Sequence, residues 1–158
     1  MRKPKIYLDT SVISYLNQED APDKMKDTLR LWEDIKSNLY EVYISDVTIE
    51  EIMRCSEPKR SLLIDYMNMI EQNVIAVDDE INTIAQQFID NHILKAKNID
   101  DCRHIACAIV SECDYMVSWN FKHIVNVKTI KGMKIVSAIT GYGEVAIYTP
   151  AFLVEGED

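Results

Sequence analysis

Short apolar runs alternate with helical segments along this chain, and this alternation constrains the fold more than any other feature of the sequence. Five runs have the length and composition of buried strands: residues 5–8, 42–45, 74–77, 115–118 and, less strongly patterned, 145–148. The segments between them carry apolar residues at helical spacing. This order predicts an α/β fold with a mostly parallel central sheet of four to five strands, flanked by helices.

The size and composition favour one globular domain. The chain has 158 residues, of which 47% are apolar, and we expect a single domain over residues 1–158 with a frayed acidic tail at 155–158. There are only four glycines and no glycine-rich phosphate loop. The sequence therefore argues against P-loop nucleotide hydrolases and dinucleotide-binding folds.

The sequence also bears on where the protein works. It has no apolar run of about 18 residues, so we expect no transmembrane helix and no membrane partner. The basic start MRKPK is followed by a charged residue, Asp9, too early for the apolar core of a signal peptide. We therefore expect a cytoplasmic protein.

Four polar residues stand where a strand should end or a helix should begin. Asp9 follows the first strand, Glu51 lies early in the helix after the second strand, and Asn120 follows the fourth strand. Asp101 starts a helix that leads back into the fourth strand, so that start also lies at the carboxyl edge of the sheet, where open α/β sheets form their sites. Clustered carboxylates repel each other unless a cation is present, and Mg²⁺ and Mn²⁺ prefer oxygen ligands. The pattern predicts a divalent-metal site.

Each of these residues also has a purely structural interpretation. Asp9 and Asp101 are good helix N-caps. Glu51 could form an exposed helical pair with Glu50, and Asn120 could be a turn residue. The shared edge of the sheet favours the functional interpretation of the set.

Other site chemistries are less well supported. A zinc site formed by Cys102, His104 and Cys107 is conceivable, but no ligand pair has the spacing of a structural zinc site, and free cysteines on an apolar helix act as small hydrophobic residues. A phosphatase with Asp9 as nucleophile, of the haloacid-dehalogenase type, would need a second aspartate where Ser11 stands. A serine hydrolase would need a G-x-S-x-G turn, which the sequence lacks.

The charge distribution is uneven. A net charge of −9 argues against a general nucleic-acid coat protein, although bound cations would reverse the field locally. Residues 115–142 contain no Asp or Glu but carry four lysines: Lys122, Lys128, Lys131 and Lys134. This stretch is either a solvated basic face or a surface that contacts phosphates.

Taken in order, LDTSVI, T-x-E-E-I, D-x-x-H-I-A-x-A and V-S-W-N-F resemble the motifs of the PIN domain. The resemblance runs from residue 5 to about residue 148 and extends to the VapC-like toxins of toxin–antitoxin pairs. It implies a parallel sheet flanked by helices and a Mg²⁺- or Mn²⁺-dependent ribonuclease that hydrolyses RNA phosphodiester bonds. It also implies homodimers and inhibition by a partner antitoxin.

The same resemblance assigns the catalytic residues. Asp9, Glu51 and Asp101 match the first three acids of the family and are the expected metal ligands, with Glu51 preferred over Glu50 because the family acid directly precedes the aliphatic residue. The fourth acid falls at Asn120. An amide can still offer a carbonyl oxygen, but with one charge fewer we expect weaker metal binding. The alternative is a PIN-fold binding module for RNA or protein with weakened cleavage.

Further polar residues extend the candidate site. Four of them are expected to bind substrate or to support the ligands: Thr10, Ser11, Arg103 and Lys122. His104 lies one helical turn after Asp101, and His123 lies three residues after Asn120. Either histidine could be a general acid, although a buried, hydrogen-bonded histidine is the commoner situation.

Overall fold

The computed structural model describes residues 2–155 and shows a five-stranded sheet in which every pair of neighbouring strands is parallel. The strands are β1 Lys5–Leu8, β2 Glu41–Ser45, β3 Asn73–Ile75, β4 Tyr115–Val117 and β5 Ala146–Tyr148. They lie in the order β3-β2-β1-β4-β5. The predicted α/β class with a parallel central sheet is confirmed.

Helices cover both faces of the sheet. They are α1 Thr10–Ser14, α2 Pro22–Lys36, α3 Asp46–Met53, α4 Lys59–Met67, α5 Asp79–Asp90, α6 Ile99–Val110, α7 Val127–Thr140 and α8 Pro150–Glu155, with 3₁₀ turns at Tyr15–Asn17 and Ala96–Asn98. Within residues 2–155, none of these helices is long and apolar enough to span a membrane.

Two features of the helices differ from the sequence-based expectation. Helix α6 begins at Ile99, so neither Asp100 nor Asp101 is its N-cap; both lie in the first turn, where the helix dipole still favours negative charge. The sequence pattern also did not predict α8, the last helix of the described residues. This helix includes Glu155, the first residue of the predicted frayed tail at 155–158, whereas residues 156–158 lie outside the described residues.

The central position of β1 explains why its residues are apolar throughout. Ile6 and Leu8 pack on the side of α1 and α2, whereas Tyr7 packs on the side of α5, α6 and α7, and all three are buried. A parallel strand covered on both faces has no solvent side, so it does not alternate apolar with polar residues. The first polar residue after β1, Asp9, therefore emerges at the carboxyl edge.

The loop after β4 is fixed to α1 and α2 by hydrogen bonds. The backbone N–H of Trp119 donates to Ser11 Oγ at 2.9 Å, and its indole N–H donates to the buried Thr28 Oγ1 at 2.8 Å. The backbone N–H of Asn120 donates to Ser118 Oγ at 2.9 Å. These contacts hold Asn120 beside the end of β1.

Candidate functional site

The four polar residues singled out in the sequence line one cavity at the carboxyl edge of β1, β2 and β4. The cavity has a volume of about 260 Å³, and eight residues with polar side chains line it: Asp9, Thr10, Ser11, Ser14, Glu51, Asp101, His104 and Asn120. The predicted convergence is what the sheet order produces, because β1 lies between β2 and β4.

Asp9 forms the floor of the site. It is 3% exposed, and its two carboxylate oxygens accept hydrogen bonds of 2.5 Å from the hydroxyls of Ser11 and Ser118. It also caps α1 by accepting from the Val12 N–H. Burial raises the pKa of Asp9, against the opposing effect of the His104 charge and of the two serine hydrogen bonds. The aspartate is thus both a helix cap and a desolvated acid in a cavity.

Glu51 reaches the site from α3 and is held by α6. Its Oε1 accepts from Thr10 Oγ1 at 2.9 Å and lies 2.6 Å from His104 Nε2. Burial pushes the pKa of Glu51 upward, but the hydrogen bond and the charge of His104 outweigh it, and the pKa is lowered. The His104 pKa is raised in turn, because its three carboxylate neighbours outweigh its burial.

Asp101 forms the third corner, from the first turn of α6. Its Oδ2 lies 2.9 Å from His123 Nδ1, and its Oδ1 accepts from the Asn120 amide at 3.4 Å. The side-chain carbonyl oxygen of Asn120, Oδ1, accepts a hydrogen bond from the backbone N–H of His123 at 3.0 Å. Burial raises the pKa of Asp101, and the negative charges of Asp9 and Glu51 raise it further, against the two histidines. Three acids therefore share one electrostatic environment.

The sequence profile of the PIN domain matches residues 6–120, which contain all four candidate residues. The chain belongs to the PIN domain family. Among curated protein sequences, none matches the chain.

Two solved structures have a similar fold over nearly their whole length. VapBC2 of Rickettsia felis, solved bound to a DNA fragment from its promoter, has 16% sequence identity and a TM-score of 0.57, with 92% of this chain and 98% of that chain covered. VapC20 of Mycobacterium tuberculosis, described as a toxin that cleaves the sarcin–ricin loop, has 17% identity and a TM-score of 0.59, with 89% and 98% covered. At these identities the likeness concerns the fold.

The donor set of this PIN domain suits a hard divalent cation, since it consists of carboxylate and amide oxygens around a polar cavity. As the side chains stand, however, no three His, Cys, Asp or Glu within residues 2–155 are arranged to enclose an ion. The reason is visible in the contacts: Glu51 faces His104 and Asp101 faces His123. In this arrangement one oxygen of each acid faces a histidine.

The predicted substrate-binding residues separate into two groups. Thr10 and Ser11 line the cavity. Arg103 does not, because its guanidinium donates to Asn82 and Asp100 on the surface of α5 and α6. Lys122 is exposed and lines a neighbouring cavity.

Sequence reasoning missed two residues that hold the site together. Ser118 is fully buried and donates to Asp9; its signal was a hydroxyl residue at the end of the apolar run YMV. Tyr7 places its hydroxyl 2.7 Å from His104 Nδ1 and 2.8 Å from Ser45 Oγ, which fixes the ring that faces Glu51. An aromatic residue inside a buried strand gives no such signal.

The zinc hypothesis finds no support in the geometry. Cys102 and Cys107 are buried among apolar residues of α5 and α6. Burial raises the pKa of each thiol to about 12, which disfavours the thiolate that zinc requires. Both act as core residues.

Proposed function

We propose that this PIN domain is a divalent-metal-dependent endoribonuclease and the toxin of a toxin–antitoxin pair. The observation that carries the proposal is the meeting of Asp9, Glu51 and Asp101 in one cavity at the carboxyl edge of the sheet. The similar fold of VapC20, described as a toxin that cleaves the sarcin–ricin loop, supports the substrate class and the biological role.

In this proposal Asp9, Glu51 and Asp101 hold Mg²⁺ or Mn²⁺. When bound, the cation supplies charge stabilisation at the scissile phosphate and lowers the pKa of the attacking water. Ser11 and Ser118 orient Asp9 by their hydrogen bonds, and Thr10 Oγ1 does the same for Glu51.

The two histidines act on the acids rather than on the substrate. His104 is buried and bridges Glu51 to Tyr7, so it positions Glu51 and holds a proton at Nε2. His123 holds Asp101 through Nδ1. Without a cation these contacts compensate the cost of clustered negative charge.

The test is cleavage of a panel of structured and single-stranded RNAs, with Mg²⁺, Mn²⁺ or EDTA. Asp101→Asn should lose at least about a hundredfold of activity, the usual cost of removing one catalytic electrostatic group. Asp100→Asn is the matched control, because Asp100 precedes Asp101 on the same helix but does not line the cavity. Cleavage that persists in EDTA, or equal activity of the two variants, would reject the proposal.

Asn120 favours a second candidate, a PIN-fold binding module with weakened cleavage. Its side chain is neutral and adds no negative charge toward a cation, and its N–H and C=O groups are already engaged with Asp101 and with the His123 backbone. Wild type that binds RNA without cleaving it, and Asn120→Asp that cleaves it, would establish this alternative.

The partner proposals concern an antitoxin and a homodimer. Helix α7 exposes Val127, Ile135 and Ile139, each at least half exposed, which supports an apolar contact with a second protein surface. Sedimentation equilibrium of wild type and of Ile135→Glu plus Ile139→Glu tests the dimer. A monomeric wild type would exclude it.

A further inference from the structure

A second and larger cavity adjoins the candidate active site. It has a volume of about 720 Å³ and lies between the segment that follows α5 and the segment that leads into α7. His123 lines this cavity, and its Nδ1 lies 2.9 Å from Asp101. The second cavity therefore begins one side chain away from the acids.

The lining of this cavity is positively charged, whereas the chain as a whole is negatively charged. Lys95 and Lys97 stand on one wall, and Lys122 and Lys128 stand on the other. All four are exposed, and among the described residues that line the cavity none is Asp or Glu. In a chain with a net charge of −9, four converging lysines without an acid form a local site for an anion.

These lysines do not serve the fold. Within residues 2–155, none of the four forms an ion pair or donates a side-chain hydrogen bond. Some other surface cations are engaged, as Arg2 is with Asp114 and Arg60 with Glu57. Unpaired ammonium groups around a cavity are available to a ligand.

The floor of the cavity is apolar. Ile93 is buried there, and Ile89 and Leu94 contribute partly buried surface. An apolar floor beneath a cationic rim suits a ligand with a flat, weakly polar part and an anionic part, which describes a nucleotide. The volume lies within the range of cavities that hold small organic ligands.

We propose that this cavity binds a nucleotide of single-stranded RNA that flanks the scissile phosphate. Its base packs on Ile93, and the adjoining phosphates contact the two lysine pairs. The strand is single because the base must leave its stack to reach the floor. This inference rests on the proposed ribonuclease function and names how that site holds its substrate.

The proposal is tested by fluorescence anisotropy with a labelled oligouridine of about 12 nucleotides, a length that covers the usual single-strand site sizes. EDTA prevents metal-dependent cleavage of the probe. The test variant is K95Q/K97Q. The matched control is K131Q/K134Q, which removes the same charge from exposed positions of α7 that do not line this cavity.

Each lysine–phosphate contact with a single strand contributes about 0.7 to the salt exponent. Losing two contacts should therefore lower the slope of log affinity against log salt by about 1.4. Relative to 1 M salt, the loss of two contacts should weaken RNA binding at 0.1 M about 25-fold, which is the tenfold salt ratio raised to the power 1.4. K122Q/K128Q, from the opposite wall, should show the same loss, whereas the control should keep affinity and slope close to wild type.

The outcomes separate this inference from the proposed function. If wild type binds and cleaves RNA but K95Q/K97Q and K131Q/K134Q behave alike, the cavity is not the nucleotide site and the ribonuclease proposal stands. If wild type neither binds nor cleaves RNA, both fail. If a glutamate-rich peptide binds wild type but not K95Q/K97Q, and RNA binding is the same in both, the cavity is a site for a protein partner instead.

Discussion

Gly132 offers a prediction in which two general rules give opposite signs. It lies in the interior of α7, where replacing glycine by alanine ordinarily stabilises a protein by about 1 kcal/mol. In this structure, however, a Cβ built on Gly132 would lie 2.6–2.7 Å from Cγ1, Cγ2 and Cδ1 of Ile93. We expect Gly132→Ala to destabilise the protein, because the steric term exceeds the propensity term.

The magnitude follows from which atoms would overlap. They belong to most of a β-branched side chain that is only 6% exposed, so Ile93 cannot move aside by rotating one terminal methyl group. Overpacking of this kind costs about 1–3 kcal/mol. Taking the upper half of that range and subtracting the propensity gain leaves a loss of about 1–2 kcal/mol, or roughly 2–8 °C in Tm for a domain of this size.

The assay is urea unfolding of a double-mutant cycle with Ile93→Ala. That truncation removes all three overlapping atoms, at its own cost of about 2–5 kcal/mol. In its background Gly132→Ala should stabilise by about 1 kcal/mol, so the coupling energy should be about 2–3 kcal/mol. Gly141→Ala is the control: its φ is +81° and nothing lies near its Cβ, so it should destabilise equally in both backgrounds. A Gly132→Ala single variant more stable than wild type would refute the steric argument.

Three further predictions concern charge. Mn²⁺ should raise the Tm of wild type, since only the folded state assembles the acids. The double variant Asp9→Asn plus Asp101→Asn should not show this rise. If it shows the same rise as wild type, these residues are not metal ligands. Asn120→Asp should tighten Mn²⁺ binding in calorimetric titration and lower the metal-free Tm, because it replaces a hydrogen bond to Asp101 by repulsion; weaker Mn²⁺ binding would contradict this. The hydrogen bonds from Arg2 lower the pKa of Asp114, so their stabilisation is complete above the unfolded pKa of about 3.9 and is lost as the pH falls through the folded pKa. In Asp114→Asn the free energy of unfolding should depend less on pH below about pH 4. If its pH dependence there is the same as in wild type, the Arg2–Asp114 contact is not the cause of the acid destabilisation.

The sequence predicted those parts of the fold that depend on local pattern. Buried strands read as apolar runs, and the alternation with helices requires parallel pairing. The meeting of Asp9, Glu51 and Asp101 at the carboxyl edge was predictable too, because it depends only on where each residue stands relative to its strand or helix. The site residues themselves remain predictions until metal binding or cleavage is measured.

Contacts between distant segments were beyond the sequence. Nothing local indicates that Lys95 and Lys97 face Lys122 and Lys128 across a cavity, or that Ile93 rests on Gly132. The lysine stretch, which the sequence left open as a solvated face or a phosphate-contacting surface, does not form one surface, since Lys134 lines a different cavity from Lys122 and Lys128. Such relations are set by tertiary packing, which sequence spacing does not encode.

The pairing of β4 with β1 has a consequence for synthesis on the ribosome. Asp9 receives one of its hydrogen bonds from Ser118, 109 positions later in the chain, and Asp101 and Asn120 also come late. At 5–20 residues per second, about 5–20 s separate the emergence of the first acid from that of the last site residue. Throughout that interval the nascent chain has no complete cavity, so the site can neither hold a cation nor act on a substrate until most of the chain has been synthesised.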